Sequence, residues 1–245
     1  MVIPVAEHRL IKIRKVNRIR LLRQALLASL AAVSINLIGS LTNSWLYTSE
    51  VLKYFVFPNI SANFEDQLNT PVYLKNATLG PWKFCWEDPI TAFFCEEVHY
   101  DRDDDAADVT SGIQQSTRKA VAFMLLGVLL DSLGFCSCVV CNCRANTYRT
   151  LFVSAVLLIL AGIANFACII VYMAAVSKEV GNKIYAASEM DEPLFHYDFG
   201  YSFIMINVSF LLTEVAALFS VVVFMAKRDE RTFHRFKIRS LLSSA

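Results

Sequence analysis

The sequence predicts a membrane α+β protein, a four-helix transmembrane bundle carrying a small disulfide-closed outer β-structure. Three observations carry this. With 56% hydrophobic and only 18% charged residues, and a mean hydropathy of +0.45, the chain is too apolar for an ordinary soluble domain. Four apolar segments reach the roughly 20 residues that a bilayer crossing needs. Two cysteines stand in a polar, strand-patterned stretch, away from the five in or beside apolar runs.

The spans fall at residues 21–42, 120–143, 151–176 and 200–226, leaving an N-terminus (1–20), a long first loop (43–119), a short connection (144–150), a second loop (177–199) and a tail (227–245). Arg9, Lys12, Arg14, Lys15, Arg18, Arg20 and Arg23 crowd the start of the first span; Arg144 and Arg149 lie in the short connection; Lys227, Arg228, Arg231, Arg235, Lys237 and Arg239 follow the last span. Under the positive-inside rule both termini are cytoplasmic and both longer loops lie outside. A cleaved signal peptide competes for the first span, but the apolar run exceeds the usual core of about 7–15 residues and no A-x-A-like site closes it. The net charge of +1 therefore hides a sided balance, basic at the N-terminus and acidic between Glu50 and Asp108.

In the first loop, Trp82, Phe84 and Trp86 alternate with Lys83, Cys85 and Glu87, the period of a half-buried strand. Phe93 to Val98 reads as a second strand, and Glu87-Asp88-Pro89 carries turn chemistry between them. A hairpin then sets Cys85 opposite Cys95, at a separation that a disulfide can bridge in an oxidising exterior. The sequons at Asn59 and Asn76 fall on the outer side and are expected to carry glycans, whereas that at Asn207 lies within the fourth span and should be silent. Asp101, Asp103, Asp104, Asp105 and Asp108 form an acidic run before the second span. It reads either as a solvated linker or as an electrostatic contact for a basic partner surface; it lacks the spacing and glycine of an EF-hand.

Each span carries a stripe of small or weakly polar residues at helical spacing: Ser29, Ala32, Asn36 and Gly39; Gly127, Asp131, Gly134 and Cys138; Ala155, Gly162 and Asn165; Ser209, Thr213, Ala216 and Ser220. Such stripes let membrane helices approach closely. Asp131 and Glu214 are the membrane carboxyls, expected to face the bundle with Asn36 as hydrogen-bonded structural groups in preference to a proton relay. Cys136-x-Cys-x-x-Cys-x-Cys143 ends a span at the cytoplasmic face. Reversible palmitoylation, at Cys141 and Cys143 above all, suits that position better than metal binding, with inert thiols as the remaining reading. His8, His99, His196 and His234 are scattered, and no nucleophile elbow, P-loop or HExxH pattern occurs. The expectation is a non-enzymatic protein without metal or cofactor, and without nucleic-acid or small-molecule substrate.

Trp45, followed by Gly80-Pro81-Trp82-x-x-Cys85 and Cys95, resembles the claudin superfamily signature, with Pro81 where leucine is usual. Within it the chain looks most like the transmembrane AMPA-receptor regulatory proteins, the stargazin group. Trp45-Leu46-Tyr47 is similar to their Trp-Leu-Tyr; Ser154-Ala155, Ala161-Gly162, Asn165 and Ile169-Ile170-Val171-Tyr172 track their third span; Tyr197-x-x-Gly200-x-Ser202-Phe203, Ser209-Phe210 and Glu214 track the fourth. The resemblance departs at Leu52 and Trp86, where a second extracellular disulfide would fall, and at Ser243-Ser244-Ala245, a poor match to that group's terminal PDZ ligand.

The resemblance implies a claudin-like bundle with a small extracellular antiparallel sheet. It further implies an auxiliary subunit that modulates the gating and surface delivery of AMPA-type glutamate receptors in the plasma membrane, at the postsynaptic side. Ala155, Gly162, Asn165, Tyr172, Ser209, Thr213, Ala216 and Ser220 on the third and fourth spans would face the receptor's peripheral helices and the acidic run its ligand-binding domains, with lipid around the rest. A claudin-type barrier protein and a calcium-channel gamma subunit are the alternatives. Glycans in the insert between Trp45 and Trp82 would obstruct the close packing of barrier strands, which favours the auxiliary reading.

Overall fold

The computed structural model describes residues 15–53, 72–88, 92–98, 109–143, 148–184 and 195–243. Its elements run α1 (Lys15–Leu41), β1 (Leu46–Lys53), β2 (Val72–Leu79), β3 (Lys83–Asp88), β4 (Ala92–Glu97), α2 (Val109–Cys143), α3 (Tyr148–Ile184), β5 (Phe195–Phe199) and α4 (Tyr201–Ser243). Each of the four helices holds a segment long and apolar enough to cross a membrane: Val16–Leu41, Arg118–Cys143, Tyr148–Lys178 and Tyr201–Thr232. The fold is that of a claudin-like membrane protein.

The helices overrun the spans read from hydropathy. Residues 227–243, taken above as tail, continue α4 as helix, as do residues 109–119 in α2 and 177–184 in α3. Hydropathy marks where the bilayer ends, whereas the backbone ladder continues as long as the chain favours it.

The chain divides into two compact units, one of Met1–Ser34, Leu126–Ala164 and Ser209–Ala245, the other of Ile35–Leu125 and Asn165–Val208. In the first, glycine and small residues let helices close on one another. A Cβ on Gly134 would stand 2.9 Å from the Leu158 side chain. Cys138, Leu158, Ala216 and Ala217 form one buried cluster, and Cys141, Leu151 and Val223 another. Arg18 pairs with Glu230, and Arg231 lies over the Tyr148 ring at 4.5 Å.

The second unit contains a five-stranded antiparallel sheet in the order β4-β3-β2-β1-β5. Strand alternation divides its residues between two faces. Leu46, Thr48, Ala77 and Leu79 are buried on one, and the register continues that face through Phe84 and Trp86 to Phe94. Phe84 and Trp86 pack against one another along β3, and Trp86 against Phe94 of β4, as tilted rings with centroids 4.8 and 4.9 Å apart. The opposite face holds Tyr47, Ser49, Asn76 and Cys85. Cys85 stands directly across from Cys95, as the hairpin pattern predicts, and the two are disulfide-bonded with a Cα separation of 4.1 Å.

Short-range chemistry fixes where α1 hands over to β1 and β5 to α4. Thr42 donates its backbone N–H and its hydroxyl to the Ile38 carbonyl, closing α1. Asn43 Oδ1 then accepts from the backbone N–H groups of Trp82 and Lys83, at 3.2 Å each. Gly80 and Gly200 are required by close approach: a Cβ on the first would overlap the Asn43 backbone and on the second the Ser44 carbonyl.

Candidate functional site

The signature residues are structural supports. Trp45 is 1% exposed, donates its indole N–H to the Gly39 carbonyl at 3.0 Å and packs edge-on against Tyr172 with centroids 5.0 Å apart. Phe199 stacks on Phe203 and Tyr172 packs tilted against it, each at 4.9 Å, extending the same aromatic cluster. Trp82 donates its indole N–H to the Ser40 carbonyl at 2.7 Å, satisfying an orphan acceptor at the C-terminal end of α1. Of the Trp-Leu-Tyr run, Trp45 and Leu46 are buried and Tyr47 alone is exposed. The cavity lined by Trp45, Leu79, Gly80, Pro81, Phe84, Val121 and Tyr172 measures about 10 Å³, the space of a single water and far below that of a small-molecule substrate.

The small and polar stripes point inward. All fifteen of their members are buried, and their polar groups find one another. In one unit, Thr213 donates to Asp131 at 2.9 Å, Ser209 donates to the Ala32 carbonyl at 2.8 Å, and Cys138 lies 2.9 Å from the Ser154 hydroxyl. In the other, Asn36 donates its amide to Asn165 at 3.3 Å and accepts from Ser40 at 3.3 Å. Such pairs satisfy polar groups that hydrocarbon cannot.

This corrects the expected receptor-facing set. Ala155, Gly162, Asn165, Tyr172, Ser209, Thr213, Ala216 and Ser220 are buried within the chain itself and are not available to a partner. The outward residues are large and apolar: Val156, Ile159, Ile163, Ile170 and Met173 on α3, and Ile204, Leu211, Val215 and Leu218 on α4.

Two further expectations are corrected by burial. Glu214 is not enclosed in the bundle: it is exposed, one residue beyond the inward Thr213, at the edge of the helix contact with its carboxylate lying over Gly162 of α3. Helical rotation of about 100° per residue places neighbours on different faces. Cys141 is buried beside Leu151 and Val223, out of reach of an acyl donor, whereas Cys143 and Cys136 are exposed and Cys138 and Cys168 buried. Asn76 is exposed, its side chain accepting from Ser49 at 3.0 Å. Asn207 donates to the Phe203 carbonyl of its own helix. Asn59 and the acidic run from Asp101 to Asp108 lie outside the described residues.

Residues 30–222 match the sequence model of the family described as PMP-22/EMP/MP20/Claudin tight junction. The chain belongs to this family. As a claudin-family protein it is a multi-pass membrane protein, and it is similar to named channel subunits. The voltage-dependent calcium channel gamma-5 subunit of Mus musculus is 27% identical over 198 residues, covering 79% of this chain and 66% of that protein. The Homo sapiens gamma-5 subunit is 27% identical over 197 residues with the same coverage. The Homo sapiens gamma-7 subunit is 29% identical over 126 residues, 51% of this chain and 44% of that one. This claudin-family chain thus spans just under two thirds of the length of the gamma-5 relatives it matches.

Proposed function

We propose that the chain is a non-enzymatic auxiliary subunit of an ion channel, binding beside the channel's membrane domain. Within that class we assign it to AMPA-type glutamate receptors, as a modulator of gating, desensitisation and delivery to the plasma membrane of the postsynaptic side. The similarity to channel gamma subunits over 198 residues carries the first part. The finer assignment rests on the Trp45-Leu46-Tyr47 run and the third- and fourth-span motifs that resemble the stargazin group.

Burial supports a lateral mode of binding. Because the stripes are used within the chain, a partner helix meets the large apolar side chains of α3 and α4. Van der Waals packing over those faces supplies the assembly energy. The acidic run from Asp101 to Asp108 would act separately, on a moving extracellular domain, where exposed ion pairs contribute about 0.2–1 kcal/mol each. Several such pairs bias a gating equilibrium if they differ between its states.

The test is co-expression with an AMPA-type receptor subunit, with fast glutamate application to excised patches. Desensitisation is expected to slow or quicken at least about twofold, a shift of roughly 0.4 kcal/mol in barrier. Asp→Asn at all five acidic positions is expected to reduce that change while leaving co-purification intact. Unchanged kinetics with both proteins at the surface would refute the receptor assignment.

A further inference from the structure

The geometry points to Glu214, seated over Gly162, as the contact through which α4 recognises a transmembrane helix of a partner channel subunit, one that brings a hydrogen-bonding side chain to mid-membrane depth. The class of partner rests on the auxiliary-subunit reading above; the contact itself rests on Glu214 and its surroundings.

Glu214 lies close to the centre of the apolar span Tyr201–Thr232, about 20 Å along the helix from Tyr201 at 1.5 Å per residue. No hydrogen bond or ion pair to it is found among the described residues. Its sequence neighbour Thr213 turns inward and serves Asp131, so the interior already has its carboxyl and its donor. Glu214 is left over from folding.

In hydrocarbon a carboxyl group, ionised or neutral, needs a hydrogen-bonding partner, and acyl chains provide none. Escape to the interface is closed as well, because the side chain is short and the site is central. The carboxylate nonetheless lies against the neighbouring helix. It rests on α3 where Gly162 has no side chain, and a Cβ there would overlap it. Leu211 and Leu218, a turn away on either side of Glu214, are 60% and 59% exposed and make apolar shoulders around the polar spot. A polar centre flanked by apolar shoulders one helical turn away suits a helix that offers serine, threonine, asparagine or glutamine between apolar residues. Lipid fits it poorly. A second copy of this chain would bring large apolar side chains from its own α3 and α4 and, as its polar group there, another carboxyl and not the serine, threonine or amide that suits the spot, so its recovery would count against the inference.

The full chain is co-expressed with an AMPA-type receptor subunit in one arm and with the pore-forming subunit of a voltage-dependent calcium channel in another. A photo-crosslinking amino acid is placed at Leu211 or Leu218 with Glu214 intact, and at Leu27 on α1, itself 65% exposed, as control. Crosslinks from 211 and 218 to a channel subunit are expected, at least about fivefold above those from 27. Glu214→Leu is expected to lower co-purification about tenfold and Glu214→Gln less than about twofold, since the amide keeps the hydrogen bond. Crosslinks only to lipid or to a second copy would overturn the inference, and do not depend on a variant that could misfold. Co-purification untouched by Glu214→Leu would overturn it while leaving the auxiliary role standing. Glu214-dependent recovery in the calcium-channel arm alone would uphold it and refute the receptor assignment. Recovery of neither channel would overturn both.

Discussion

Trp45→Ala is expected to destabilise the protein by about 3–5 kcal/mol, the range for removing a large aromatic from a packed interior. The loss combines the cavity left against Tyr172 and Phe203 with the lost indole hydrogen bond to the Gly39 carbonyl at the end of α1, which keeps only the longer contact from the Thr42 hydroxyl. Because Trp45 also holds strand junctions through its backbone, donating to Leu79 and accepting from Gly200, its side chain sets how α1 meets the sheet. Tyr47→Ala, two residues on but 40% exposed, is expected to change stability by less than about 0.5 kcal/mol. Thermal unfolding of the detergent-solubilised protein, followed by fluorescence-detected size exclusion, measures both. Equal effects at the two positions would mean that Trp45 acts at a partner surface instead of in the fold.

Cys85→Ala should remove about 2–4 kcal/mol, the usual contribution of a disulfide closing a short loop. Among the described residues the sheet has little else to close the edge formed by β4. Among those residues β4 pairs only with β3, and its Phe93 is 70% exposed. The packed rings of Phe84, Trp86 and Phe94 hold the hairpin on one face, the disulfide on the other. Surface biotinylation is expected to show reduced delivery for Cys85→Ala and for the double variant with Cys95→Ala. The single variant alone is expected to form disulfide-linked dimers through the exposed Cys95, visible on non-reducing gels. Wild-type melting and surface level in the double variant would contradict this role.

Both results bear on what was legible in the residues. The four spans and the register of Cys85 against Cys95 were readable because hydropathy and alternation are local signals. The sheet beyond the hairpin was not. β5 has five residues and pairs with β1 from about 150 positions away, so its existence depends on a long-range pairing that no local window contains. The stripes were found correctly as stripes, but helical period shows only that a face is small and polar, not whether its partner is another helix of the same chain. Burial of Thr213 and exposure of Glu214 make the point within two adjacent residues. The same blindness applies to the cysteine run, where the period separates exposed Cys136 and Cys143 from buried Cys138 and Cys141.

The family's signature positions are therefore spent on building this protein, and its outward faces are left to determine what it assembles with. Affinity purification of the full chain from native membrane in mild detergent, followed by quantitative mass spectrometry, tests that account most directly. A pore-forming channel subunit, AMPA-type on the reading above, is predicted to co-purify in fixed proportion and to be retained after glycosidase treatment. Recovery of this chain with only copies of itself, or with adhesion partners from an apposed membrane, would contradict the auxiliary role.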